Sequence, residues 1–266
     1  MLRLMFVLLA ACGGSSVAAD RGPLRPAGSV VIGESFTITS RVLGEDRRLH
    51  VYVPAKPGRY PVLYLLDGGP QEDFHHISGL AQVASVNGTM RELIVVGIES
   101  GAVRKRDMTV DPAKFRRFVV DEVRPAIQAR FSTDGTGTLI GESLAGLFVV
   151  DTFLREPQAF DAFVAISPSL WWADQALAKE AATLLAAQPA GARSLYLTIA
   201  NEGSEMPEMQ QGMDLLVAAL RARPPGDLRW WYEPRPDETH GTIYHPAAAV
   251  ALRRLYGTSG TPDPAP

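Results

Sequence analysis

The chain has 266 residues, 46% hydrophobic and 21% charged, enough for one sizeable core and too apolar for a disordered tether. Its 26 basic side chains are scattered and outnumbered by 29 acidic ones, giving a net charge of −3, so no nucleic-acid-binding stripe is expected. The 24 Gly and 20 Pro suit a fold rich in turns and long loops, but they follow no period.

The first segment, Met1 to Ala11, carries one positive charge at Arg3 ahead of an apolar run. It is too short for a bilayer span, which takes roughly 20 apolar residues. With the small and polar residues 13–20 behind it, the segment reads as an export signal over residues 1–19. Leu9-Ala10-Ala11-Cys12 resembles the lipobox of bacterial lipoproteins, in which the cysteine becomes the lipidated first residue. A plain signal peptide cut near Ala18 or Ala19 is the other reading. Both predict an exported product, periplasmic or secreted, and the first adds an acyl anchor that holds it to a membrane without spanning it. Cys12 is the only cysteine, so the mature domain has no internal disulfide and no catalytic thiol. Residues 20–30 read as a spacer, 31–257 as one catalytic domain, and 258–266 as a frayed, proline-rich tail.

Ser35 to Ser40 and Arg48 to Val53 alternate in hydrophobicity around a turn at Leu43-Gly44-Glu45-Asp46, which predicts a hairpin at an antiparallel edge. His50, with Leu49 and Val51 on the other face, is expected to point to solvent. From Pro61 the pattern changes: Val62 to Leu66 is continuously apolar, as in a strand covered on both faces. Strands are then expected at Leu93 to Ile98, Gly137 to Ile140, Ala162 to Ile166, Ser194 to Ala200 and Arg229 to Glu233. Helices are expected at Pro112 to Arg130, Ala145 to Arg155, Ala173 to Ala187, Met206 to Ala222 and Tyr244 to Tyr256. This alternation predicts an α/β fold: one three-layer domain with a mostly parallel central sheet.

Gly141-Glu142-Ser143-Leu144-Ala145-Gly146 follows a short strand and opens a helix. It fits the strained strand-to-helix elbow G-x-S-x-G, with Ala145 in place of the last glycine, and makes Ser143 the candidate nucleophile. The alternative is a plain helix N-cap serine. A serine nucleophile needs a base, and His240 in the loop Pro236 to Gly241 is the candidate; His245 reads as a surface or packing residue. The acid is expected from the loop after the strand Ser194 to Ala200, with Glu202 nearest the strand end and Glu205 second. A Ser-His dyad with a carbonyl orienting the ring is the remaining option.

For the oxyanion, the N–H of Leu144 and that of Gly69, in the turn Asp67-Gly68-Gly69-Pro70, are the expected donors; Pro70 has no N–H to give. His75 and His76, beside Glu72 and Asp73, lack a further ligand at metal spacing and are expected on a loop lining the substrate entrance, as is Asp67 in the turn before them. Trp171 and Trp172 are candidates for an aromatic wall of the pocket or for packing under the next helix. Arg106 with Asp107 is either a brace for the site or a receptor for a substrate carboxylate. No cofactor and no metal enter this chemistry.

Residues 47–256 resemble the esterase family that contains esterase D and the enterobactin-type siderophore esterases, within the α/β-hydrolase superfamily. The resemblance rests on Leu63 to Gly69 (LYLLDGG), Arg104 to Thr109 (RKRDMT), Phe118 to Pro125 (FVVDEVRP), Gly141 to Gly146 (GESLAG), Ile166 to Trp172 (ISPSLWW) and Asp237 to Gly241 (DETHG). It implies the α/β-hydrolase fold, a nucleophile at Ser143, a base at His240 and hydrolysis of carboxylic esters of small molecules. Glu142 stands where the family commonly has His, and Ala145 where it has Gly. An acyltransferase using a sugar or lipid acceptor, and a catalytically silent binding protein on the same scaffold, fit the same motifs.

Overall fold

The computed structural model describes residues 27–203 and 206–258. The segment expected to be an export signal with Cys12, the expected spacer up to residue 26, Ser204, Glu205 and the expected tail from residue 259 lie outside the described residues. Residues 27–31 have no regular secondary structure, and the described residues from Ile32 onward form one compact unit.

The expected hairpin is present. Strand β1 (Glu34–Ser40) pairs antiparallel with β2 (Glu45–Tyr52), from Glu34 opposite Val51 to Ser40 opposite Glu45. The turn between them uses Gly44 at φ 76°, a left-handed conformation that glycine adopts without steric cost. β2 also pairs antiparallel with β4 (Ile94–Ile98), so it is an interior strand rather than an edge. His50 is buried, not solvent-facing as its alternation suggests, because Phe74 at the start of the first helix packs against its ring, with centroids 5.6 Å apart. Its Nδ1 lies 2.8 Å from Ser35 Oγ and its Nε2 2.9 Å from Glu99 Oε2.

The remaining strands are parallel: β3 (Tyr60–Leu66), β5 (Thr133–Glu142), β6 (Ala162–Ile166), β7 (Arg193–Thr198) and β8 (Leu228–Tyr232). They complete an eight-stranded sheet in the order β1-β2-β4-β3-β5-β6-β7-β8. β3 explains why its sequence is unbroken apolar. Val62, Tyr64 and Leu66 face one core cluster while Leu63 and Leu65 face another. Helices α1 (Phe74–Val86) and α7 (Tyr244–Tyr256) cover the second face. Helices α2 (Pro112–Arg117), α3 (Arg124–Arg130), α4 (Leu144–Arg155), α5 (Trp172–Ala186) and α6 (Pro207–Ala222) cover the first. This is the three-layer α/β-hydrolase architecture.

Three segments depart locally from the expected elements. The long helix expected over Pro112 to Arg130 passes through a π-helical turn at Phe118–Val123, just before Pro125, whose missing N–H and ring disrupt the α-helical ladder. His75 and His76, expected on a loop, lie instead in α1. Its apolar stripe of Phe74, Ile77, Ala81 and Ala84 is interrupted in sequence by two histidines and Gly79, which hides the period. Finally, Ala173, Asp174 and Gln175 adopt left-handed angles (φ 51°, 55° and 60°), so the regular turns of α5 begin only after them. Left-handed L-residues cost roughly 1–2 kcal/mol each, a strained segment directly after Trp171 and Trp172.

Candidate active site

The C-terminal ends of β3, β5, β6 and β7 point to the same edge of the sheet, where open α/β sheets form their clefts. β5 ends at Glu142, α4 starts at Leu144, and Ser143 between them sits at φ 59°, ψ −120°. Three backbone bonds hold that conformation. Ser143 N–H donates to Ile166 O at 3.0 Å, and Ser143 O accepts the N–H groups of Ser169 and Leu147, both at 2.9 Å. The elbow also needs its small residues. A Cβ on Gly141 would lie 2.7 Å from Ala145 Cβ, and one on Gly146 would lie 2.9 Å from Ile166 O. Position 145 therefore tolerates a methyl group, whereas 141 and 146 do not.

His240 arrives from the loop between β8 and α7, 97 residues after Ser143, and its Nε2 is 3.0 Å from Ser143 Oγ. Its Nδ1 is 2.8 Å from Glu202 Oε1. With the proton on Nδ1 donated to the carboxylate, Nε2 is free to accept the serine hydroxyl. Glu202 is 5% exposed and lies on the loop after β7, as expected from the sequence. The two loops are tied together: Asn201 N–H donates to Glu238 O at 2.9 Å and Arg235 N–H to Ile199 O at 2.8 Å. These bonds set the carboxylate and the imidazole relative to one another across 38 residues of chain.

The anion side is less open than the sequence suggests. Leu144 is the first residue of α4, so its N–H has no acceptor a turn earlier within the helix and is directed at the elbow. Gly69 N–H, the other expected donor, is engaged: it donates to Glu72 Oε2 at 2.7 Å. The neighbouring Asp67, at φ 51°, accepts Arg104 Nε at 2.8 Å, and Arg104 Nη2 also reaches Glu142 O at 3.3 Å. Asp67 thus joins the turn after β3 to the strand end that carries the nucleophile, rather than standing free as a substrate ligand.

Arg106 is engaged as a brace. It grips Glu45 at 2.6 and 2.9 Å and donates to Asp107 at 2.8 Å, while buried Asp107 also accepts Arg47 at 2.5 Å. Arg104, two residues earlier in the same charged run, is the arginine at the site. His75 and His76 lie on α1; His75 is exposed, and His76 Nδ1 sits 3.1 Å from His245 Nδ1 on α7. Trp171 and Trp172 are half-buried, edge to face with ring centroids 5.6 Å apart. Trp172 lines a cavity of about 190 Å³ with Met108, Leu147 and Leu177, reaching one helical turn from Ser143 along α4.

Two residues to which the sequence assigned no role in the site stand next to the nucleophile. Ser169 Oγ lies 3.2 Å from Ser143 Oγ; its only signal was its place at the end of β6. Glu142 was visible as an oddity of the elbow. Burial pushes its carboxyl up to about 7, with Asp73 and Asp67 adding to the rise and His240 and Arg104 opposing it. Asp73 is likewise pushed up to about 6, chiefly by burial. Among the described residues, Glu142 Oε1 and the buried Tyr244 hydroxyl have no hydrogen-bond partner. No group of three or more His, Cys, Asp or Glu among the described residues is arranged to hold a metal, and no described helix is long and apolar enough to cross a membrane.

Comparison with known proteins adds a family. The sequence profile of the "Putative esterase" family matches residues 40–225. The ferri-bacillibactin esterase BesA of Bacillus subtilis is 29% identical over 163 residues, 48% of this chain and 56% of that protein, so the chain matches little more than half of that relative's length. Among solved structures, the BES protein from Bacillus cereus superposes with a TM-score of 0.76 at 23% identity, covering 87% of this chain and 97% of that one. An IroE-like serine hydrolase from Shewanella oneidensis gives a TM-score of 0.72 at 25% identity, over 84% of this chain and 80% of that one.

Proposed function

This chain belongs to the Putative esterase family, and from that premise we propose that it is a serine esterase that hydrolyses carboxylic esters through an acyl-serine intermediate. The observation that carries the reading is the continuous line from Ser143 Oγ through His240 to Glu202, at 3.0 and 2.8 Å. Both distances fall within the reach a nucleophile and its base require.

In the proposed reaction, Ser143 Oγ attacks the ester carbonyl while its proton passes to His240 Nε2. Glu202 holds the ring in the tautomer that can accept it and stabilises the imidazolium that forms. Leu144 N–H, and Gly69 N–H when free, donate to the oxyanion. Collapse of the tetrahedral species expels the alcohol, protonated by His240, and leaves the acyl group on Ser143. Water then attacks the acyl carbon, giving its proton to His240, and the carboxylic acid leaves as that proton returns to Ser143. The side chains present suffice for every proton transfer in this cycle.

The name of the Bacillus subtilis relative makes ester-linked ferric siderophores the substrate class to assay first. The apolar leader and Cys12 support an exported enzyme, anchored by lipid if Cys12 is the processed residue. The test is hydrolysis of p-nitrophenyl acetate and butyrate by wild type and Ser143→Ala. The expected result is a loss of 10³-fold or more in kcat. Equal rates would refute the esterase reading.

A further inference from the structure

An ester carbonyl attacked by Ser143 develops a negative oxygen that wants two N–H donors at about 2.7–3.1 Å. Leu144 supplies one. The other, Gly69, stands in the turn after β3, the strand hydrogen-bonded directly beside β5. In the structure that donor already carries an anion: Glu72 Oε2 at 2.7 Å, the length of a charge-assisted bond. The same carboxylate accepts Gly101 N–H on Oε1 at 3.0 Å and Ser100 N–H on Oε2 at 3.4 Å, both from the loop after β4. Three backbone donors from two loops thus converge on one internal carboxylate.

The local sequence explains how it gets there. Glu72 N–H donates to Gly69 O at 3.0 Å, closing a turn that folds the Glu72 side chain back over the Gly69 N–H. Glycine at 69 is what permits the approach, since a Cβ there would lie 3.0 Å from Glu72 Oε2 and 3.0 Å from Glu99 Cγ. A carboxylate offers the charge and the paired oxygens that a tetrahedral intermediate would offer to the same N–H. It also repels a second negative oxygen brought close to it.

We propose that Glu72 is a positioning residue that holds the Gly69 donor in reserve, so that the resting enzyme offers the substrate one oxyanion donor instead of two. As the tetrahedral species forms, its negative oxygen takes the place of the Glu72 carboxylate on the Gly69 N–H. The carboxylate keeps its Gly101 and Ser100 donors as it leaves, so the displacement is small and reversible. The inference rests on the serine-esterase reading and on Gly69 as the second donor.

The experiment compares wild type, Glu72→Ala, Glu72→Gln and Ser143→Ala on p-nitrophenyl acetate, with phenylboronic acid as a probe that forms a tetrahedral anion on the serine. Glu72→Ala should raise kcat at least about 5-fold, tighten boronate inhibition by a similar factor, and leave KM within about twofold. Glu72→Gln should fall between, because a neutral amide oxygen can still accept the Gly69 N–H without the repulsion. A purely structural role for Glu72 would instead lower kcat and weaken the boronate together, and that result, or no change in either, overturns the inference. If Glu72→Ala fails to fold, the near-isosteric Glu72→Gln decides by the same readouts. Ser143→Ala keeps the two ideas apart. Its inertness with unimproved Glu72 variants defeats only the inference, whereas turnover equal to wild type defeats the esterase reading itself.

Discussion

Glu142 lies one residue before the nucleophile, and its environment ties stability to pH. Burial raises its carboxyl from an ordinary 4.5 to about 7. For an acid raised in the folded state, the native protein holds its proton through a range in which the unfolded chain has already lost it. The folded state therefore binds more protons between about 4.5 and 7, and stability falls as pH rises through that window. The size follows from 2.5 pH units at about 1.4 kcal/mol each, on the order of 3 kcal/mol, fully retained below 4.5 and fully lost above 7. Asp73, raised to about 6 mainly by burial, acts in the same direction. Glu142→Gln keeps the shape and removes the titration. Urea unfolding at pH 4.5 and pH 8 measures the difference for each protein. Wild type should lose about 3 kcal/mol more than Glu142→Gln across that interval, and the variant should be the more stable one at pH 8. Parallel losses in the two proteins would refute the assignment of this pH dependence to Glu142.

Further predictions follow from the same contacts. Glu202→Gln, which leaves the His240 loop tied to its neighbours but removes the carboxylate at Nδ1, should lower kcat by roughly 10²–10⁴-fold with KM little changed in steady-state kinetics. Arg106→Ala should leave KM for any ester within about twofold, because its partners are Glu45 and Asp107, and should cost at most about 1 kcal/mol in denaturant unfolding. A rise in KM confined to substrates bearing a carboxylate would restore Arg106 as a substrate receptor. Gly146→Val would press methyl groups onto Ile166 O and the Pro168 backbone, so unfolding should show a loss of about 1–3 kcal/mol and assays a fall in kcat as the elbow shifts.

Much of the fold was legible because burial leaves a periodic trace. The continuous apolar strand Val62 to Leu66 announced a sheet covered on both sides, and the alternating strands and helices announced its parallel order. The elbow around Ser143 was legible for a different reason: a turn at φ 59° with two backbones pressed against it admits few residue types, so Gly141, Ala145 and Gly146 mark it. His240 and Glu202 could be placed by loop, since each follows a strand whose end is at the cleft. Helix α1 could not be read, because a short amphipathic stripe interrupted by two histidines and a glycine has no clear period.

What only the tertiary structure decided concerns partners chosen across long separations. His50 is buried because Phe74 of α1 packs on its face of β2, which the strand's own alternation does not record. The same holds for the arginines of the run 104–106. Both are charged and adjacent to the same loop, but Arg104 meets Asp67 and the Glu142 carbonyl, whereas Arg106 meets Glu45, 61 residues away. Local sequence determines which conformations and which faces a segment can adopt, because sterics and burial act over a few residues. The identity of the charge or donor that each polar side chain finds depends on how separate loops are brought together at the sheet edge. That is why Ser143 could be named from six consecutive residues, and why the carboxylate resting on Gly69 could not.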